Sequence, residues 1–186
     1  WLIDPLDGTK EFVNRNGEFT VNIALIDEHQ PVLGVVHVPV LAQTYAGLVG
    51  TGAWRQDGDE KPVPITTLRP PREVPVVVGS RSHANPRLEA CLACVGPTEL
   101  MSMGSSLKFC RVAEGVADLY PRLGPTSEWD TAAAQAVVEA AGGRVLELDG
   151  AALSYNRKKD ILNPWFIVIG DPEANWMERL DLSLAS

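Results

Sequence analysis

Two aspartates near the start of the chain are spaced so that they could hold a metal ion. Asp4 and Asp7 belong to the segment Asp-Pro-Leu-Asp-Gly-Thr, which follows a predicted short strand from Trp1 to Ile3. Pro5 fixes φ and Gly8 permits unusual φ values, so a rigid turn can aim both carboxylates at one point. Oxygen-only ligands suit Mg²⁺. The segment predicts a magnesium site, although Asp-Pro and Asp-Gly are also ordinary turn dipeptides.

An anion site is predicted beside these carboxylates. The polar stretch from Lys10 to Arg15 can form a helical turn that presents free N–H groups to an anion. Two carboxylates about 4 Å apart repel by about 4 kcal/mol at an effective dielectric constant of about 20, unless a cation lies between them. A metal site next to an anion site indicates phosphate chemistry.

A third carboxylate, Asp130, stands in the first turn of a predicted helix from Glu128 to Ala141. Ser127 is a suitable N-cap three residues before it, so Asp130 can equally be a capping-box residue with no further role. The small residues from Ala132 to Ala134 would let this helix pack closely against a neighbour. Close packing would allow Asp130 to approach Asp4.

Polar and basic residues follow three predicted strands, at the edge where α/β sheets usually bind ligands. They are His83, Ser105, Lys108 and Arg122. A lone histidine or lysine is often only a solvated surface residue. Convergence of these four residues would instead make an anion pocket, because basic side chains hydrogen-bond phosphate oxygens. So few cations suit a small phosphate ester.

The secondary-structure pattern of the sequence changes near Pro62 to Pro64 and again around Pro70-Pro71, where turn residues cluster. The elements on the two sides of this boundary must together position the candidate residues. Before this boundary, short β-branched runs predict an antiparallel meander, with strands at Phe19 to Ile26, Pro31 to Val38, Thr44 to Val49 and Ala53 to Gln56. We therefore expect an N-terminal α+β domain over residues 1–68, which carries the metal loop, and a second domain over residues 69–186.

The second domain is predicted to be α/β, because its strands alternate with helices. Strands are predicted at Val74 to Val78, Leu100 to Ser102, Ala117 to Tyr120, Arg144 to Leu148 and Trp165 to Ile169. Helices are predicted at Pro86 to Val95, Ser106 to Glu114 and Glu128 to Ala141. Such alternation predicts a mainly parallel sheet.

Composition excludes several classes of protein. The 186 residues include 16 Lys and Arg against 24 Asp and Glu, a formal net charge of −8. This acidic balance argues against a nucleic-acid partner. No apolar run approaches the roughly 18 residues that a transmembrane helix needs. Three cysteines fit a reducing compartment, so we expect a cytoplasmic protein, with peripheral association with the inner membrane as an alternative. Cys91 and Cys94 lie inside a predicted helix and are interpreted as neither a redox pair nor a zinc site.

The motifs resemble those of a known family. Asp4 to Thr9 together with Trp129-Asp130 resembles the paired motifs of the lithium-sensitive, Mg²⁺-dependent phosphatases that include inositol monophosphatase. Lys10 to Phe12 and Asn16 to Asn22 are similar to the bacterial 3′(2′),5′-bisphosphate nucleotidases of the CysQ type within that superfamily. Three later segments fit the same group: Gly79 to His83, Gly104 to Cys110 and Tyr120 to Thr126.

This resemblance implies a layered αβαβα sandwich and hydrolysis of adenosine 3′,5′-bisphosphate to AMP and phosphate, a step that serves sulfate assimilation. Activity on the sulfated nucleotide stays open. The implied Mg²⁺ ligands are Asp4, the Leu6 carbonyl, Asp7 and Asp130. Gly8 and Thr9 would hold the scissile phosphate, with the Thr9 hydroxyl orienting the attacking water. The residues expected to contact the nucleotide and its second phosphate are His83, Ser105, Lys108 and Arg122.

The resemblance also implies upstream elements. Helices and an adjacent acidic pair that binds metal and activates water are expected to precede Trp1. We therefore expect a truncated chain that is incomplete for catalysis, since general-base catalysis typically supplies about 10² to 10⁴ in rate. Two alternatives remain open: a sugar or inositol phosphatase with the same chemistry, and a non-catalytic binder of Mg²⁺ and nucleotide. The oligomeric state is left open too.

Overall fold

The first sheet is a six-stranded antiparallel meander in chain order. The computed structural model describes residues 1–80 and 86–180. The strands of this sheet are β1 (Leu2–Asp7), β2 (Thr20–Asp27), β3 (Gln30–Val38), β4 (Gln43–Leu48), β5 (Gly52–Asp57) and β6 (Val63–Ile65). The predicted meander is confirmed, and β1 and β6 extend it at its two edges.

Strand β1 corrects the expectation of a strand followed by a turn. It continues through Asp7 and pairs with β2, where Asp4 lies opposite Asn22 and Asp7 opposite Thr20. One more residue stands on β1 than on β2 between these pairs, which is a β-bulge. Because β1 is an edge strand, Pro5 can lack an N–H there without breaking the ladder. The expected turn is therefore a bulged strand.

The second sheet has five strands in the order β10-β11-β9-β7-β8. They are β7 (Val76–Ser80), β8 (Glu99–Met103), β9 (Leu119–Arg122), β10 (Arg144–Glu147) and β11 (Phe166–Ile169). Strand β7 runs parallel to β8 and β9, whereas β11 is antiparallel to both of its neighbours, β9 and β10. The expected mainly parallel sheet is thus mixed. Residues 148–165, which join β10 to β11, contain no helix, and a parallel pair would need such a crossover.

The helices agree with the sequence prediction within a few residues. They are α1 (Thr9–Val13), α2 (Pro86–Ala93), α3 (Leu107–Ala113), α4 (Glu128–Ala140) and α5 (Trp176–Arg179), and a short 3₁₀ turn spans Pro39–Leu41. Helix α1 is the helical turn expected after the metal segment. Helix α5 was not predicted, since a single turn leaves little periodicity to detect. None of the helices in the described part of the chain is long and apolar enough to cross a membrane.

Helix α4 lies directly on the backbone of the first sheet. A Cβ atom on Gly34 would lie 2.0 Å from the carbonyl oxygen of Ala133, and one on Gly47 would lie 2.6 Å from the Cα of Val137. The glycines of β3 and β4 and the alanines of α4 therefore permit the close packing that the sequence predicts. This contact fixes the height of α4 above the sheet and brings its first turn to β1.

The described residues form alternating layers of sheet and helix. Helix α4 packs on the first sheet, and α3 packs on α4 and on the second sheet. Residues of α2 and α5, including Leu92 and Trp176, form a separate core with Leu119 and Ile167 on the other face of the second sheet. This order is the βαβα part of the expected αβαβα sandwich. The division into domains at residues 68 and 69 stays a prediction.

Candidate functional site

Three carboxylates meet at one point between β1 and α4. Oxygen atoms of Asp4, Asp7 and Asp130 all lie within 4.8 Å of one another. Residues three apart in a regular strand point to opposite faces of the sheet, so the bulge in β1 is what allows Asp4 and Asp7 to face the same site. The close packing of α4 supplies Asp130. We call this group the acidic cluster.

Asp7 is held by hydrogen bonds from β2 and from Ser106, the residue that precedes α3. Its Oδ2 accepts the backbone N–H of Ser106 at 2.6 Å and the Ser106 hydroxyl at 2.5 Å. The same oxygen accepts the Thr20 hydroxyl at 3.2 Å and Nδ2 of Asn22 at 3.4 Å. Within residues 1–80 and 86–180, all these donors fall on Oδ2. Oδ1 accepts no hydrogen bond from any of these described residues and is the oxygen available to a cation.

The other two carboxylates are each fixed by one backbone donor. Asp4 Oδ1 accepts the N–H of Leu6 at 2.9 Å, and Asp130 Oδ2 accepts the N–H of Ser127 at 2.8 Å. Burial raises the pKa of Asp4 and, together with the negative charges of Asp7 and Asp4, raises the pKa of Asp130 to about 6. No described residue forms an ion pair with any of the three carboxylates. Oxygen donors in this arrangement fit a hard divalent cation.

Gly8 and Thr9 connect the acidic cluster to the neighbouring cavity. Gly8 has φ of 84° between β1 and α1, a left-handed conformation that glycine adopts without strain. A Cβ atom there would also lie 3.1 Å from Cβ of Ser105. Thr9 begins α1 and lines the cavity. The Leu6 carbonyl, which the resemblance implies as a ligand, stays a prediction.

A cavity of about 460 Å³ opens beside the acidic cluster. Its walls include seven residues expected from the sequence: Asp7, Gly8, Thr9, Ser105, Lys108, Arg122 and Asp130. Asp7 and Asp130 of the acidic cluster line it together with Ser105, Lys108 and Arg122, which we call the basic wall. Lys10 and Glu11 add one further charge of each sign. His83, the fourth residue expected there, lies outside the described residues.

Lys108 is a nearly buried cation. It is 7% exposed, and its Nζ donates to the carbonyl oxygen of Ser105 at 2.7 Å and lies 5.4 Å from the centroid of the Tyr120 ring. Burial lowers its pKa to about 8, with a smaller contribution from the positive charge of Arg122 and against the opposing effect of Asp7. A carbonyl and a ring face do not neutralise the charge. An anion in the cavity would therefore stabilise the ammonium form.

Arg122 and Ser105 complete the basic wall. One terminal nitrogen of Arg122 donates to the carbonyl oxygen of Pro125 at 3.0 Å, while its buried Nε has no hydrogen-bond partner in the described part of the chain. The Ser105 hydroxyl donates to the carbonyl oxygen of Glu18 at 2.5 Å. The wall thus retains a donor, Nε of Arg122, that the described residues do not satisfy.

Sequence reasoning missed the residues that support the site. Ser106 was predicted only as the start of a helix, yet its N–H binds Asp7, and its hydroxyl lies between Asp7 Oδ2 at 2.5 Å and the carbonyl oxygen of Asp130 at 2.9 Å, with one hydrogen to donate to either. Asn22 donates to the Ser106 hydroxyl at 2.7 Å. Thr20 and Asn22 are both buried polar residues on one face of β2. Their alternate spacing beside the metal segment was an available signal.

Comparisons with known proteins agree with this fold. The inositol monophosphatase family model matches residues 1–179. The chain therefore belongs to the inositol monophosphatase family, and the resemblance and the fold class expected from the sequence are confirmed. An inositol monophosphatase from Zymomonas mobilis has a TM-score of 0.80 at 22% identity, covers all of this chain and 69% of its own, and supports the fold alone.

Relatives named CysQ are more similar in sequence. The 3′(2′),5′-bisphosphate nucleotidase CysQ of Escherichia coli K12 is 53% identical over 169 residues, which are 90% of this chain and 67% of that protein. The crystal structure of CysQ from Bacteroides thetaiotaomicron has a TM-score of 0.82 at 47% identity, over 90% of this chain and 68% of that one. The chain thus spans about two thirds of the length of these relatives.

Proposed function

We propose that this chain is a CysQ-type 3′(2′),5′-bisphosphate nucleotidase. It hydrolyses adenosine 3′,5′-bisphosphate to AMP and phosphate, a reaction that serves sulfate assimilation. The observation that carries the proposal is the pairing, in one cavity of about 460 Å³, of an acidic cluster with a basic wall. One side suits a cation and the other a phosphate. The 53% identity to Escherichia coli CysQ supports the nucleotide as substrate. The sulfated nucleotide is a second candidate substrate.

The acidic cluster has the donors that Mg²⁺ requires. Asp4, Asp7 and Asp130 would hold the ion, and the Leu6 carbonyl would add a fourth oxygen. When bound, Mg²⁺ lowers the pKa of a coordinated water and neutralises phosphoryl oxygens in an in-line displacement. The contribution of the chain is to place these carboxylates, through the bulge of β1 and the first turn of α4.

The remaining residues bind and orient the substrate. Gly8 and Thr9 would hold the scissile phosphate next to the acidic cluster, and the Thr9 hydroxyl would orient the attacking water. Ser105, Lys108 and Arg122 would bind the nucleotide and its second phosphate, because charged donors in a partly dry cavity form strong hydrogen bonds to phosphate. His83 belongs to the same proposed set.

The direct test is phosphate release from adenosine 3′,5′-bisphosphate and from inositol 1-phosphate, with Mg²⁺, with EDTA and with Mg²⁺ plus Li⁺. Full-length Escherichia coli CysQ serves as the positive control. Measured on this chain and on a version extended upstream, release is expected to depend on Mg²⁺, to be inhibited by lithium and to be faster from the bisphosphate. Turnover is expected in the extended version alone if an upstream acidic pair is required, and kinetic variants are then compared in that version. Faster release from inositol 1-phosphate would instead support an inositol phosphatase.

A matched pair of variants separates the site from general effects of charge. Asp4→Asn removes a carboxylate from the acidic cluster, whereas Asp27→Asn removes an exposed one at the end of β2. Only Asp4→Asn is expected to reduce turnover. Binding of Mg²⁺ and AMP without phosphate release in either version would identify a non-catalytic binder and contradict the hydrolase.

A further inference from the structure

A segment that precedes β11 packs across the N-terminus of α4. This segment, residues 154–163, is called the strap below. The N–H of Glu128 donates to the carbonyl oxygen of Ile161, and the N–H of Asn163 donates to the carbonyl oxygen of Thr126, both at 2.8 Å. Ser127 and Leu162 form an antiparallel bridge between these two contacts. The strap therefore pairs with the three residues that lead into α4.

The side chain of Asn163 adds three more contacts at the same place. Its Nδ2 lies 3.1 Å from Oγ1 of Thr126, 2.9 Å from the carbonyl oxygen of Ser127 and 3.0 Å from Oγ1 of Thr131. The Ser127 carbonyl can only accept a hydrogen bond, so the amide nitrogen must face it. Asn163 is 8% exposed, and its Oδ1 has no partner among the described residues. Its function at this position is thus that of a donor.

The residues that Asn163 contacts flank Asp130. Ser127 is both the acceptor for Asn163 and, through its N–H, the donor to Asp130 Oδ2 at 2.8 Å. Thr126 and Thr131 line the cavity on either side of Asp130. Asn163 therefore holds Ser127 from both neighbouring peptides: its side chain binds the Ser127 carbonyl oxygen, and its backbone N–H binds the Thr126 carbonyl of the peptide that carries the Ser127 N–H. No hydrogen bond joins Asn163 to Asp130 itself among the described residues.

We propose that Asn163 is a positioning residue for Asp130, holding the Ser127 turn so that this carboxylate is aimed at the cation before the cation binds. The inference rests on the proposed function, because it requires Asp130 to be a metal ligand. Residues that orient metal ligands through hydrogen bonds typically contribute a factor of about 10 to 100 in metal affinity. Because Asn163 acts through Ser127, we expect a loss of about tenfold, at the lower end of that range.

The test is Mg²⁺ binding by isothermal titration calorimetry on the whole chain, together with the melting temperature of each metal-free variant. Asn163→Leu keeps a similar side-chain shape and removes the donor. Lys158→Ala is the matched control, since Lys158 Nζ pairs with Oε1 of Glu128 at 2.9 Å and joins the strap to α4 away from Ser127. We expect Asn163→Leu to weaken Mg²⁺ binding about tenfold and Lys158→Ala to leave it unchanged, whatever their melting temperatures.

Other outcomes would overturn the inference in distinguishable ways. Wild-type Mg²⁺ affinity in folded Asn163→Leu would refute the positioning role alone. A loss of affinity that followed the fall in melting temperature equally in both variants would reduce Asn163 to a structural residue. An absence of saturable Mg²⁺ binding in the wild type would refute the proposed function, and the inference with it. If Asn163→Leu does not fold, Asn163→Ser replaces it, because serine keeps one hydroxyl donor. Asn163→Ser is expected to bind Mg²⁺ with an affinity between those of the wild type and a variant without a donor. Wild-type affinity in Asn163→Ser would also refute the inference.

Discussion

The acidic cluster, through Asp7 and Asp130, and the basic wall line the same cavity but bury their charges in different ways. Asp4, Asp7 and Asp130 lie against one another, with their oxygens within 4.8 Å, and are supported by backbone and hydroxyl donors. Lys108 and Arg122 come from α3 and β9 and each donates to a carbonyl oxygen. Neither side has an opposite charge as its hydrogen-bond partner among the contacts of the described residues.

This difference indicates what each side of the cavity lacks. In the acidic cluster, burial and mutual repulsion raise the pKa of Asp130 to about 6, so a cation would lower the free energy of the folded state. In the basic wall, burial lowers the pKa of Lys108 to about 8, so an anion would do the same. The two sides therefore require ligands of opposite sign, which a metal ion and a phosphate ester supply together.

The largest effect is expected from removing a charge of the acidic cluster. Asp130→Asn should lower the rate of phosphate release by more than about 100-fold, which exceeds the effect typical of residues that only support metal ligands. The amide oxygen of the asparagine can still accept the Ser127 N–H and cap α4. Steady-state kinetics at saturating Mg²⁺ measure this loss. The control is Asp59→Asn, an exposed carboxylate in the turn after β5. Near-wild-type turnover in Asp130→Asn would remove Asp130 from the metal ligands.

The basic wall should show a smaller effect that depends on the substrate. Lys108→Met keeps a side chain of similar length and removes the charge. A hydrogen bond to a charged group contributes about 1.5–3 kcal/mol, which corresponds to roughly 10- to 150-fold in an equilibrium or rate constant. We expect this loss in kcat/KM for adenosine 3′,5′-bisphosphate and a clearly smaller one for a monophosphate. Lys159→Met, at an exposed position, is the control. Equal losses on both substrates would place Lys108 outside the site of the second phosphate.

A hydroxyl behind the acidic cluster should have an effect of about tenfold. Ser106→Ala removes the one hydroxyl that lies between Asp7 Oδ2 and the carbonyl oxygen of Asp130 but keeps the backbone N–H that also binds Asp7. Mg²⁺ affinity is expected to fall about tenfold, as for other supporting groups. Calorimetric titration compares it with Ser102→Ala, an exposed serine on β8. Unchanged affinity would show that Asp7 is positioned by its other donors.

The smallest effect is a dependence on pH that originates in the basic wall. Lys108 binds an anion when protonated, and its pKa of about 8 means that the protonated fraction falls as pH rises through this value. KM for the bisphosphate should therefore increase about fourfold between about pH 7 and 8.5, the ratio of protonated fractions for such a pKa. In Lys108→Met this increase should disappear. An increase of the same size in the variant would assign the titration to another group.

Local patterns in the sequence predicted the residues that carry the charges, but not the contacts that aim them. Asp4 and Asp7 are close enough in sequence for their pairing to be expected. The small residues of α4 indicated how Asp130 could approach them. The bulge in β1 depends on its register with β2, which no local pattern specifies. Likewise, Ser106 lies 99 residues from Asp7, and a bond over that separation cannot be inferred from spacing.

The fold shows the same limit. Hydrophobic periodicity located most strands and helices, because each element buries one face. The direction of β11 was missed, since it depends on whether residues 148–165 cross over the sheet or turn back. Asn163, in the same stretch, stands before a proline in what reads as an ordinary turn. Its three partners become apparent only when the strap is placed beside α4.

The most direct test of the two-sided site is the position of a bound metal ion. Mn²⁺ shares the oxygen ligands of Mg²⁺, and anomalous diffraction from crystals grown with Mn²⁺ and AMP would locate it. We expect an anomalous peak bounded by carboxylate oxygens of Asp4, Asp7 and Asp130, with phosphate oxygens of AMP at Lys108 or Arg122. Mn²⁺ bound only elsewhere, or AMP bound away from the cavity, would contradict the proposed site.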